Sequence, residues 1–143
     1  MTIDEKQQEI IEEFAFFEDW MEKYDFIIQL GKDLPLIDDR YKVDDRLIKG
    51  CQSQVWMHAE EKDGKIYFSA DSDALITKGL VSLVIKVLSG HPPEEIINSD
   101  LYFIREVGLQ NHLSLTRSNG LASMIKQMKL YALALHNQQK IKS

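Results

Sequence analysis

Leu75, Ile76, Leu80, Leu83, Val84, Val87 and Leu88 recur at helical spacing, and the residues between them leave this segment with hardly a polar face. A helix that is apolar nearly all round must lie inside a fold, covered by other elements from more than one side. Its most apolar part, Leu80 to Leu88, contains Ser82 and Lys86. That stretch falls far short of the roughly 20 residues needed to cross a bilayer, so it reads as a core helix. Gly90 followed by Pro92 and Pro93 ends it. Asp71-Ser72-Asp73 stands before it, where short polar side chains cap free backbone N–H groups.

Other segments supply the cover. Ile3, Ile10, Ile11, Phe14 and Phe17 define an amphipathic helix with a solvated acidic face. A second helix is expected from Asp19, as its cap with Glu22 completing a capping-box-like pattern, to Leu30, with Gly31 as a left-handed terminator. Phe14, Phe16, Phe17, Trp20, Tyr24 and Phe26 would pack between these two helices. Near the C-terminus, Leu121, Met124, Ile125, Met128, Tyr131 and Leu135 share one face of a long helix that Thr116 or Ser118 could cap. Short helices are expected at Glu94 to Asn98 and at Leu101 to Val107, the latter closed by Gly108.

The β-structure is confined to one stretch. Val55, Met57 and Ala59 alternate with Trp56, His58 and Glu60, Asp63-Gly64 is a two-residue turn signal, and Lys65 to Ala70 forms the return strand. This hairpin is expected at the centre of a small antiparallel sheet. From Asp33 to Gly50, Pro35 and the clusters Asp38-Asp39-Arg40 and Asp44-Asp45-Arg46 show no sustained period, which predicts an irregular connection with one short helical turn. With 143 residues, 44% of them hydrophobic, the chain is expected to form a single α+β domain over residues 1–143, its several helices gathered around one small antiparallel sheet.

A formal charge of −6 with mixed signs argues against nucleic-acid binding, which calls for concentrated Lys and Arg. One cysteine cannot close an internal disulfide, and Met1 to Glu13 is acidic where a signal peptide would be basic and then apolar. A cytoplasmic location is therefore expected.

That cysteine, Cys51, follows Gly50 and precedes Gln52-Ser53-Gln54, where irregular chain enters the first strand. On the residues alone two readings stand. A free cysteine can be a small buried hydrophobe. Against that, the polar neighbours and Gly50 suit a thiol presented to another molecule, which would need help to ionise. Candidate supports are the helix N-terminus after Ser72 and a cation such as Arg117 or Lys78. Asp71 and Asp73 read foremost as caps, with a polar role beside Cys51 as the alternative. His58, His91, His112 and His136 lack short metal-ligand spacing, and one cysteine cannot supply a four-cysteine cluster, so no metal or cofactor is expected on the chain. A Cys-His hydrolase with His112 or His58 as base is a rival chemistry.

The string Gly50-Cys51-Gln52-Ser53-Gln54-Val55-Trp56 resembles the signature of the SufE family of sulfur acceptors, partners of cysteine desulfurases. Three further stretches agree in order: Tyr24 to Leu34, Asp71-Ser72-Asp73-Ala74 with Lys78-Gly79-Leu80, and Gly108-Leu109 through His112-Leu113 to Thr116-Arg117-Ser118-Asn119-Gly120-Leu121. Together they cover roughly residues 14 to 135, and four ordered motifs are far more specific than any one. One departure is Leu115-Thr116, where the family commonly has Pro-Ser before the arginine.

The resemblance implies an α+β fold shared with U-type iron–sulfur scaffold proteins. It implies that Cys51 accepts sulfur as a persulfide, with Asp73 and Arg117 near the acceptor loop beside Gly50, Gln52 and Ser53. The implied partners are a cysteine desulfurase, which holds the pyridoxal phosphate, and a scaffold that receives the sulfur; a homodimer is compatible with the chain. Because an acceptor must be reachable in the complex yet guarded when free, the Cys51 loop is expected to be mobile and to pack its sulfur inward at rest. A non-catalytic regulator of the desulfurase is the alternative function.

Overall fold

The computed structural model describes residues 1–142, with side chains to residue 138. In chain order the elements are α1 (Ile3–Ala15), α2 (Trp20–Gly31), β1 (Val55–Lys62), β2 (Lys65–Ser72), α3 (Leu75–Leu88), α4 (Pro93–Ile97), α5 (Phe103–Val107), α6 (Leu109–His112) and α7 (Leu115–Lys142). The apolar run that dominates the sequence is α3, and every residue from Gly79 to Leu88 except Lys86 is buried. Side chains from α1, α2, both strands, α5 and α7 join it in one hydrophobic cluster.

The hairpin register runs from Val55 opposite Ser72 to Lys62 opposite Lys65. Asp63 and Gly64 both take positive φ, 55° and 80°, as the tight mirror-image turn requires. Val55, Met57, Ile66, Phe68 and Ala70 turn inward, matching the alternation. The connection before the hairpin folds as two 3-10 turns, Asp39–Tyr41 and Asp44–Arg46, where one helical turn was expected. Isolated bridges from Leu36 to Ala70 and from Leu47 to Trp56 flank the hairpin, but the sheet itself has two strands, so the hairpin is the whole of the sheet and not the centre of a larger one.

Several local expectations are corrected. Gly31 does not terminate α2 in the left-handed region: it lies inside the helix, and the cap is Lys32 with φ −70°. Its missing side chain serves packing, since a Cβ there would come within 3.1 Å of the Gly79 backbone nitrogen on α3. Glu22 does not close a capping box on Asp19; its carboxylate accepts from the Glu18 N–H, while Asp19 accepts from Glu22 as expected. Helix α7 is capped by neither Thr116 nor Ser118: the Ser114 hydroxyl accepts from the Arg117 N–H at 3.2 Å. Asp71-Ser72-Asp73 is not the cap of α3 either, because β2 extends through Ser72 and Ala74 occupies the cap position with no side-chain hydrogen bond. Of the aromatic group, Phe14 and Phe17 meet Phe26 at 5.2 and 5.0 Å between ring centroids. Trp20 instead stacks on His112 of α6, and Phe16 is left 84% exposed.

Candidate functional site around Cys51

The loop that carries Cys51 is pinned at its base by backbone hydrogen bonds and rests at its tip against α7. Its stem closes where the Ile48 N–H donates to the Val55 carbonyl at 2.9 Å, beside the Leu47–Trp56 bridge. Asp73 clamps the second arm: its carboxylate accepts from the Gln54 N–H at 3.0 Å, and its own N–H donates to the Gln54 carbonyl at 3.3 Å. The Asp73 carboxylate is thus engaged by the Gln54 backbone at the stem of the loop, which explains why it does not cap α3. Among the described residues, Lys49 to Ser53 make no main-chain to main-chain hydrogen bonds.

The tip packs onto α7. Gly50 has φ +93°, and a Cβ there would lie 2.5 Å from the Ser123 hydroxyl oxygen. The expectation that this glycine clears space for another molecule is thereby corrected: at rest the space holds a side chain of the same chain. Cys51 is half-buried, and its Sγ lies 3.6 Å from the Gly120 carbonyl, to which the thiol donates. A glycine in the interior of α7 costs about 1 kcal/mol relative to alanine. A Cβ at Gly120 would stand 3.5 Å from Sγ, an ordinary van der Waals contact, so the sulfur's position does not itself require the glycine.

Sγ borders a cavity of about 90 Å³ whose lining includes Ser53, Thr77, Leu80, Arg117 and Met124. Gln52, Ala74 and Ile76 also border it, so the first turns of α3 and α7 both meet the site. Of the two candidate cations, Arg117 lines the cavity with Cys51, while Lys78 is diverted to Asp71, 3.5 Å away. Burial opposes ionisation of Asp71, but hydrogen bonds from Lys42 and the Ser72 N–H and the charge of Lys78 prevail and hold its carboxyl below the usual range. Asp71 and Asp73 thus have separate structural duties and do not form an acid/base pair. Among the described residues no histidine lines the cavity: His112 stacks on Trp20 and His58 on Tyr41.

Burial alone pushes the Cys51 thiol above its ordinary value of 9.0. The resting sulfur is thus a neutral, sheltered thiol. Because the folded pKa is the raised one, the unfolded chain loses this proton first. The thiol's favourable contribution to stability is then present below pH 9.0 and is lost as pH rises through the folded value. Iodoacetamide is expected to alkylate Cys51 more slowly in the folded protein than in urea at neutral pH, with the folded rate still climbing above pH 9.0. Equal rates in the two states, followed by mass spectrometry, would show that the resting site gives no shelter.

Residues 8–132 match the family model for SufE, described as an Fe-S metabolism associated domain. An uncharacterised SufE-like protein of Rhizobium meliloti is 40% identical over 126 residues, covering 85% of this chain and 90% of that one. The SufE-like protein 1, chloroplastic/mitochondrial, of Arabidopsis thaliana is 39% identical over 131 residues, covering 91% of this chain and 35% of its own length. A solution structure of a hypothetical protein from Thermus thermophilus superposes with a TM-score of 0.75 at 18% identity, covering 96% and 97% of the two chains, and shares the α+β fold. The signature at residues 50–56, its loop folded against α7, and a family match over most of the length agree: this chain belongs to the SufE family, associated with iron–sulfur metabolism.

Proposed function

We propose that Cys51 accepts sulfane sulfur as a persulfide from a pyridoxal-phosphate-dependent cysteine desulfurase, stimulates that enzyme by clearing its sulfur-bearing cysteine, and delivers the sulfur to an iron–sulfur scaffold. The observation that carries this reading is a lone thiol on a loop pinned at its base by Asp73 and held at its tip by a weak S–H···O contact with Gly120. A partner can lift such a tip without disturbing the strands beneath it. Leu75 and Leu115, 72% and 78% exposed, adjoin residues that line the cavity and offer apolar contact to a docking protein.

In the complex, the sulfur of Cys51 attacks the outer sulfur of the enzyme's persulfide. A bond forms between Cys51 Sγ and that sulfane sulfur, the enzyme's own S–S bond breaks, and the departing thiolate takes up the proton that Cys51 releases. The numbers of disulfide-type bonds and thiols are unchanged, so no outside oxidant or reductant is required. The chain needs no cofactor of its own for this exchange, since the pyridoxal phosphate acts on the desulfurase. Shelter at rest limits capture of the thiol by oxidants, and opening in the complex restores access.

Incubating the protein with a cysteine desulfurase and cysteine is expected to add sulfur mass to the peptide containing Cys51, removable by reductant. Failure to gain sulfur with several desulfurases would overturn the reading.

A further inference from the structure

Thr77 is the third residue of α3, only 7% exposed, and it lines the same cavity as Cys51. Among the described residues its hydroxyl has no hydrogen-bond partner, yet it is not one of the fully enclosed unpartnered atoms, which are Arg46 Nε, His91 Nδ1 and Ser118 Oγ. For a side chain so deeply buried, the remaining opening is the cavity it lines. The helix around it lacks a cap as well: Ala74 supplies no side-chain acceptor, Asp73 is taken by Gln54, and the Ser72 hydroxyl accepts from Ala74. The first-turn N–H groups of a 14-residue helix therefore carry their partial positive charge at this cavity without a side-chain acceptor.

An empty polar corner beside a sulfur matches a larger species than the thiol. A persulfide places one more sulfur about 2 Å beyond Sγ. The cavity of about 90 Å³ exceeds the roughly 30 Å³ that a water molecule occupies in the liquid. The added sulfur is anionic once ionised and can only accept hydrogen bonds, so it needs donors where the thiol needed the Gly120 acceptor. We propose that the α3 N-terminus is a subsite for the terminal sulfur of the Cys51 persulfide, with the Thr77 hydroxyl donating to it. This rests on the persulfide reading above and assigns Thr77 the role of holding the loaded state.

The charged groups around the subsite are Arg117 on α7, which lines the cavity, and Asp73 and Lys78 at the start of α3, which are held by Gln54 and Asp71. Thr77→Val removes the hydroxyl while keeping the side-chain shape. To separate this test from the desulfurase reaction, Cys51 is loaded with inorganic polysulfide. Its thiolate attacks a sulfane sulfur, forms the Cys51 S–S bond and releases a polysulfide shorter by one sulfur. The persulfide is then titrated by its near-ultraviolet absorbance.

Loss of one hydrogen bond to an anion is expected to raise the persulfide pKa by about one unit in Thr77→Val. The pKa of the unloaded thiol, read by alkylation, should stay at its wild-type value, and Thr77→Ser should restore the loaded value. An unchanged persulfide pKa in Thr77→Val, or an equal shift in both thiol and persulfide, would overturn the assignment. If desulfurase loading fails while polysulfide loading shows the Thr77 effect, the fault lies with the proposed partner and not with the subsite.

Discussion

Changing Cys51 to serine is expected to abolish sulfur acceptance completely and return desulfurase turnover to its unstimulated rate. Serine is close to cysteine in size and its hydroxyl can still donate towards the Gly120 carbonyl, so the loop can keep its resting position. The stability change should stay within about 1 kcal/mol, because this half-buried side chain fills no large part of the core. A hydroxyl oxygen, however, neither ionises near neutral pH nor exchanges with sulfane sulfur. The variant therefore separates chemistry from docking. Steady-state assays with a desulfurase, with and without the variant, decide between the readings. Stimulation equal to wild type would sink the carrier mechanism and identify a regulator that acts by binding alone. A small residual stimulation would measure how much docking by itself contributes. The hydrolase rival predicts instead that His112→Ala has an effect of similar size, although His112 is stacked on Trp20 and Tyr24 donates to its carbonyl.

What the sequence revealed and what it hid divides by the distance between the residues involved. The hairpin was legible because its code is local: alternation, then Asp-Gly, then alternation. The core helix was legible because the apolar run from Leu80 to Leu88 leaves it no other place than the interior, although Leu75 at its start is 72% exposed. Asp71-Ser72-Asp73 misled because the same residue types that cap helices also end strands. What decided between these roles was Gln54, 19 residues away, whose N–H claims the Asp73 carboxylate. Ser114 is indistinguishable in sequence as the α7 cap from Thr116 and Ser118, chemically equivalent candidates two and four residues later. Cys51 was identifiable from its neighbours in sequence, but its shelter was not, since that depends on the Gly120 carbonyl arriving from α7, 69 residues away. The activating cation sought for the resting thiol is the clearest case. Lys78 is spent on Asp71, and burial pushes the thiol upward instead.

Gly31 belongs to the same class of hidden cause, and its partner Gly79 supports the largest expected loss of stability. Helix propensity by itself says that Gly79→Ala in the middle of α3 should stabilise by about 1 kcal/mol. The geometry says the reverse. An added Cβ would stand 2.1 Å from the Ile27 carbonyl oxygen and 2.7 Å from the Ile27 carbonyl carbon. These are backbone atoms of α2, so no rotamer change can relieve the overlap; the two helices must separate. Separation also disturbs the hydrogen bond from Ser82 on α3 to the Leu30 carbonyl, and the burial of Ile27, which is fully enclosed. Overpacking a core typically costs about 1–3 kcal/mol, and a clash with main chain falls at or beyond the upper end. The net expectation is a destabilisation of about 3 kcal/mol or more, or roughly 10 °C in Tm for a chain of this size. Urea and thermal unfolding followed by circular dichroism measure it directly. A variant as stable as wild type would mean that α2 and α3 do not cross in the close contact seen here, and that Gly31 and Gly79 do not owe their places to that crossing.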